Sequence, residues 1–465
     1  MAPPKIHFMK NILLLFILGL SFVTASAQFG SQQIISTTTM NPRYLLTPDI
    51  DNDGATDVFC YSGEDHRMRW FRNLDGLGNF SDEIIISENT AFYISIDFVD
   101  IDSDGDNDLI YLENNPRKIE WLENTDGQGN FGPVHVILEN QSDYIFNFKA
   151  IDIDNDNDAD LVVHYSNTFF DWIVWYENLD GLGTFGEEIL LIEGLMEAYE
   201  PIIVDIDNDG LLDIVTSTEI NGPAKAIWFK NLGDVTFGEE QEIFHFDFIQ
   251  SDWTSIIHLE YIDVNTDNKK DFVVVGHNDD FGVSRFWIEN MDNQGNFETI
   301  HSLTVISNFF DMDNDGDIDI LKNNSVSIYW IENIDGLGTF STQHIVDDNT
   351  SSPFGSIATF INDDGLIDVV SYSLDEDKIV WYENGVLGIE DQTENHFMLY
   401  PNPTKGKLNL NTNQKIILIE VYNLVGQKIL ETKTEINLSN FESGIYFVKI
   451  KDSNGFSEVH KVIKE

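Results

Sequence analysis

Short runs rich in β-branched and aromatic residues recur through most of the chain, such as Asp57-Val58-Phe59-Cys60-Tyr61 and Asp160-Leu161-Val162-Val163-His164. Their length and composition predict strands. A second kind of run carries a tryptophan: Trp70-Phe71-Arg72-Asn73 leads through Asp75-Gly76 to Phe80. Trp121, Trp175, Trp287 and Trp330 head copies that end at Phe131, Phe185, Phe297 and Phe340. Trp228 heads a contracted copy through Gly233 to Phe237, and Trp381-Tyr382-Glu383-Asn384 begins a seventh that stops at Gly385. Asp-Gly accepts the positive φ angles of a hairpin turn, which joins the tryptophan strand to the next one.

Each period therefore holds four strands: one after a polar loop, one with the tryptophan, one after the Phe (Glu83 to Ile86), and one leading into the next loop (Tyr93 to Val99). Four strands in about 50 residues describe a β-propeller blade. Seven periods predict an all-β fold, a seven-bladed β-propeller over residues 28–385. The seventh period lacks the strand after its turn, whereas Phe29-Gly30-Ser31-Gln32-Gln33-Ile34-Ile35 resembles Phe185-Gly186-Glu187-Glu188-Ile189-Leu190. Pairing this N-terminal segment with the last blade would close the ring and remove two sheet edges.

The polar loops share one frame, with acids at positions 1, 3, 5 and 9 and a turn residue at position 6. Asp100, Asp102, Asp104 and Asp108 surround Gly105. Asp49, Asp51, Asp53 and Asp57 surround Gly54; Asp205, Asp207, Asp209 and Asp213 surround Gly210; Asp311, Asp313, Asp315 and Asp319 surround Gly316. Asp152, Asp154, Asp156 and Asp160 have Asn157 in the glycine slot, which Asn tolerates because it enters left-handed conformations readily. Asp263, Asn265, Asp267 and Asp271 have Asn268 there. The last copy, Asn362, Asp364 and Asp368 around Gly365, has Phe360 at position 1 and is expected to be weak or empty.

So many hard oxygens in a flexible loop suit calcium, up to one ion per blade, better than magnesium, which demands a tight octahedron. An EF-hand is excluded. It needs a glutamate at position 12 and flanking helices, but position 12 is Cys60, Tyr111, Val163 or Thr216 in the first four copies.

The formal charge of -56 excludes nucleic acid and anionic membrane as partners. From Glu390 onward there are 10 acids and 9 lysines, so the excess lies in the repeats. A hydrophobic content of 42% argues for a packed core in spite of this charge. Lys10, the apolar run Ile12 to Thr24 and Ala25-Ser26-Ala27 read as a signal peptide over residues 1–27, too short for a membrane span. No transmembrane segment is expected in the mature chain. Cys60, the single cysteine, is expected in a buried strand.

After a linker at 386–395 the composition changes. Tyr400-Pro401-Asn402-Pro403, Ile419-Glu420-Val421-Tyr422 and Ser443-Gly444-Ile445-Tyr446-Phe447 alternate strands with turns and predict a small β-sandwich over 396–465.

The D-x-D-x-D-G-x-x-D loops joined to W-x-x-N-x-D-G-x-G-x-F hairpins resemble the FG-GAP or VCBS repeats of integrin α-type propellers, over about residues 29–385. The tail resembles the type A C-terminal sorting domain of the type IX secretion system of Bacteroidetes, an immunoglobulin-like sandwich. The first resemblance implies calcium in the blade loops and a role in adhesion, carbohydrate binding or, beside other machinery, polysaccharide degradation. The second implies the type IX machinery as a partner, and release or surface attachment once signal peptide and tail are removed.

Two functions follow. One is a binding module for a glycan or extracellular protein, with Trp172 and Trp253, outside the repeat register, as the tryptophans to test for ligand contact, packing in a strand or loop being the favoured role of both. The other is a polysaccharide-active enzyme, a lyase or glycosidase. Among 81 acids no catalytic pair stands out, and nucleophile elbow, H-E-x-x-H and P-loop motifs are absent. The binding module is the favoured reading.

Overall fold

A computed structural model of the protein describes residues 29–88, 93–114, 117–139, 144–219, 224–246, 254–278, 282–303, 308–385, 398–401, 403–412, 415–423, 428–434, 436–441, 443–452 and 457–464. The signal-peptide and linker predictions, and Trp253, lie outside these residues. The chain divides into two compact units, residues 1–386 and 387–465. Each is built of antiparallel sheets, and among the described residues no helix is long and apolar enough to cross a membrane.

In the first unit, Pro42–Leu46, Val58–Ser62, Arg67–Phe71 and Ile84–Ser87 form a four-stranded sheet in chain order. Five further sheets repeat that order over residues 93–139, 144–195, 202–245, 254–302 and 308–347. The strand leading into each acid loop thus belongs to the sheet of the strands that follow the loop. The seventh sheet takes Pro353–Thr359, Asp368–Ser373 and Lys378–Tyr382 from the end of the unit and Gln33–Ser36 from its start. Gln33 pairs with Trp381 and Ile34 with Val380, as the N-terminal resemblance predicts. The Gly30 N–H bonds the Glu383 carbonyl at 2.8 Å, matching Gly186 to Glu177 at 2.7 Å within one chain segment.

The strand after each loop is apolar at successive positions because both of its faces are buried. Phe59 and Tyr61 pack against Leu109 and Tyr111 of the second sheet, whereas Val58 and Cys60 pack against Val370 and Trp381 of the seventh. Further apolar clusters join each sheet to its successor, so the seven sheets meet in a cycle. Cys60 is buried as expected, and burial pushes its thiol up to about 12.

Each hairpin also serves its neighbour. Gly129 has φ +76°, and an added Cβ would lie 2.4 Å from Trp70 of the preceding sheet. Gly78, Gly183 and Gly295 meet Trp381, Trp121 and Trp228 in the same way. The second glycine of D-G-x-G is therefore a seat for the neighbouring indole, where a side chain would both strain the backbone and collide. In the contracted fourth hairpin this contact is missing, since Gly233 has no heavy atom within 4 Å of a built Cβ.

In the second unit, Met398–Tyr400, Lys407–Asn411 and Ile436–Asn437 form one sheet, and Lys428–Thr432, Ile416–Asn423, Gly444–Asp452 and Ser457–Lys464 another. Leu408 and Ile436 of the first share one core with Ile419, Val421, Val448 and Val462 of the second.

Candidate metal centres

The acid loops are folded by their own carboxylates. At position 1, Asp100 accepts the N–H of Asp104 at 3.2 Å and of Gly105 at 3.0 Å. Asp49, Asp152, Asp205, Asp263 and Asp311 do the same in their loops. The position-5 residues, Asp53, Asp104, Asp156, Asp209, Asp267, Asp315 and Asp364, each accept the N–H two residues on. Position 6 has positive φ in every copy, from 64° at Asn268 to 99° at Gly316, so Asn157 and Asn268 replace glycine without changing the turn. Position 4 is left-handed too, at Asn52, Ser103, Asn155, Asn208, Thr266 and Asn314. The repeated Asn there signalled this in the sequence.

Position 9 is the buried base of each loop. Asp108 Oδ1 accepts the Asn124 N–H at 2.8 Å and Oδ2 the Ile101 N–H at 3.0 Å. Asp57, Asp213, Asp271, Asp319 and Asp368 make the same two bonds. Asp160 keeps the first, from Asn178. Burial, opposed by these N–H donors, pushes Asp57, Asp108, Asp160 and Asp271 up to about 7, Asp213 and Asp368 to about 6, and Asp319 to about 8.

The Asn of W-x-x-N has a role that sequence reasoning missed. Asn124 donates its side-chain N–H to the Ile50 carbonyl of the preceding sheet at 2.9 Å, and Asn178, Asn333, Asn384 and Asn73 make the equivalent link. Each is buried, so it joins two loops in a setting where the unmade bond would be costly. Its recurrence beside every tryptophan was the available signal.

Position 3 varies: Asp154 Oδ1 accepts the Asp156 N–H at 3.2 Å, and Asp51 and Asp207 each pair with a basic side chain. Buried Oδ1 atoms of Asp51, Asp102, Asp207 and Asp313 lack any hydrogen bond. So do Asp158 Oδ1 and Asp317 Oδ1 at position 7. Unsatisfied buried carboxylate oxygens converging on one point fit a hard cation. Five loops bring three carboxylates within 4.8 Å of one another: Asp49, Asp51 and Asp53; Asp100, Asp102 and Asp108; Asp152, Asp154 and Asp160; Asp205, Asp207 and Asp213; Asp311, Asp313 and Asp315.

Among the described residues, Asp263, Asp267 and Asp271 form no such group, and neither do Asp364 and Asp368. Asn265 lies toward Glu289, at 3.5 Å, and Asn362 toward Glu383, at 3.2 Å. Where the last loop lacks its first aspartate, Phe360 is 52% exposed, and Asn362 bonds the Asp364 N–H at 3.3 Å instead.

A further set of loop-facing groups comes from the residue before each Asn, which sequence reasoning passed over. Arg72 Nη2 lies 3.0 Å from Asp53 and its Nε pairs with Asp51. Lys230 Nζ lies 2.7 Å from Asp209 and pairs with Asp207. Glu123, Glu177 and Glu332 stand at that position elsewhere and act as like charges on Asp102, Asp154 and Asp313.

Beyond the loops, Phe146, Asn167, Phe169, Phe170, Tyr199 and Glu219 help line a cavity of about 550 Å³. The Asn167 side chain accepts the N–H groups of Phe169 and Phe170 at 2.8 and 3.0 Å and fixes the turn that carries both exposed rings. Trp172 does not stand free: it stacks on Tyr165, with ring centroids 5.5 Å apart, against the core between the second and third sheets.

A family model described as FG-GAP-like repeat matches residues 49–111 and 100–163, and one described as Secretion system C-terminal sorting domain matches residues 398–465. No curated protein matches the chain in sequence. Among solved structures, the chain is similar to BBS1N in complex with ARL6DN, at 10% identity over 79% of this chain and 99% of that one, with a TM-score of 0.47. It is similar to an oligogalacturonate lyase from Vibrio parahaemolyticus at 10% identity, over 76% and 98%, with a TM-score of 0.41. It is also similar to the polysaccharide lyase Uly1 at 10% identity, over 81% and 95%, with a TM-score of 0.42. The chain carries FG-GAP-like repeats within residues 49–163 and, at residues 398–465, a type IX secretion sorting domain that marks it for export.

Proposed function

We propose that residues 28–385 act as a calcium-binding, seven-bladed propeller that serves, once exported, as a binding module for a glycan or extracellular protein. The tail, in this reading, is an immunoglobulin-like sandwich addressed to the type IX machinery. The observation that carries the calcium reading is the set of buried, unpartnered carboxylate oxygens at position 3, each beside the acids of its own loop. Bound calcium would supply positive charge to Asp102 and Asp313, which no basic group described in their loops reaches, and would compete with Arg72 and Lys230 for Asp51 and Asp207. The chain's own groups do the rest: position 1 and position 5 hold the loop, and position 9 ties it to the tryptophan strand and its Asn.

A glycan as ligand is supported by the cavity near Phe169 and Phe170. Exposed aromatic faces beside Asn167 and Glu219 offer apolar contact for sugar rings and polar groups for hydroxyls. A glycan array read for both binding and cleavage tests this. Retention that disappears on chelation is the expected outcome. Turnover of a polysaccharide would replace the binding module with the enzyme reading.

A further inference from the structure

We infer that Arg72 and Lys230 are tethered cations that take the metal's place in the first and fourth loops, leaving the second, third and sixth as the tight calcium sites. This rests on the calcium reading above and adds an assignment of which loops load.

Arg72 and Lys230 reach the acids at positions 3 and 5 of their own loops, at the distances given above. These are two of the carboxylates that a calcium ion would need. A guanidinium or ammonium held there by its own strand neutralises them without cost in translational freedom, and an incoming ion must displace it. The second, third and sixth loops have Glu123, Glu177 and Glu332 at the equivalent position, and nothing basic among the groups described there.

A second position changes in step with the first. Position 7 is Asp106, Asp158 and Asp317 in the second, third and sixth loops, but Ala55 and Leu211 in the first and fourth. One class thus has six carboxylates and no base, and the other four carboxylates and one base. The buried Oδ1 atoms of Asp158 and Asp317, which accept no N–H, belong to the first class. Such groupings of like charge favour a cation from outside the chain. The fifth loop mixes the patterns, since Lys269 at position 7 pairs with Asp267 while Glu289 lies toward Asn265, and it falls with the weaker class. The third loop, whose Asn157 is the sequence's departure from glycine, falls with the tight class because its turn is unchanged and its acids are the more numerous.

Calorimetric titration of the full chain with calcium chloride, with a count of bound metal, tests the assignment. Three tight ions are expected in the natural sequence, four in Arg72→Glu or Lys230→Glu, and five in the double variant. Asp102→Asn, Asp154→Asn and Asp313→Asn should each weaken one tight site about tenfold or more, whereas Asp51→Asn and Asp207→Asn should leave the tight count unchanged. If the charge reversals do not fold, Arg72→Gln and Lys230→Gln are counted instead. An unchanged count in the folded variants would overturn the inference. Five or more tight ions in the natural sequence would overturn it while leaving the calcium reading intact, and no bound calcium at all would overturn both.

Discussion

The repeat array and the tail both bury β-sheet cores, but they manage charge in opposite ways. The tail from Glu390 on balances 10 acids with 9 lysines, whereas the array holds the other 71 of the 81 acids, 29 of them in the seven loops, where some buried oxygens accept no hydrogen bond. The tail's core needs only its apolar clusters. The array's sheets are joined face to face by apolar clusters as well, yet each acid loop gathers like charges that repel one another. On the calcium reading proposed above, stability of the array is linked to a cation and stability of the tail is not.

The comparison can be broken most severely at a junction. In Gly129→Val the added side chain would meet the Trp70 indole and strain a backbone at φ +76°. We expect a loss of about 3 kcal/mol or more for the array and an unchanged tail transition, read by denaturant unfolding of the full chain. A variant as stable as the parent would mean that the indole is not seated on that glycine.

Acidity has a smaller effect on the array. Asp57, Asp108, Asp160 and Asp271 titrate near 7 in the folded array, above the ordinary carboxylate range. Between those two values the folded form keeps protons that the unfolded chain has released. The penalty for these groups is therefore full above about pH 7 and is relieved as pH falls towards 5. The metal-free array should gain stability on acidification from pH 8 to pH 5, while the tail stays level. Melting temperatures of chelated protein across that range decide it, and a fall on acidification would contradict the assignment of position 9.

What could be read from the sequence was whatever repeats locally. The strands flanking each loop and the aspartate frame follow from neighbouring residues, and the complementary ends of the array follow from matching one repeat against another, so that Gln33 pairs with Trp381 as that complementarity requires. What could not be read were contacts between different repeats or across a hairpin. Gly129 looks like a turn glycine until Trp70 of the sheet before it is placed against it. Asn124 looks like part of a turn until its side chain is seen to reach the Ile50 carbonyl. Arg72 and Lys230 look like exposed strand residues, because the acids they meet lie 19 to 23 positions away across a fold of the sheet. Trp172, outside the repeat register, takes the packing role favoured for it, stacked on Tyr165 of the neighbouring strand.

The most direct test of the central claim is a pair of thermal melts of the full chain, with excess calcium and with excess chelator at neutral pH. Mass action at several sites predicts that the array transition rises by on the order of 10 °C with calcium, with the tail transition fixed. Superimposable array transitions would contradict the account.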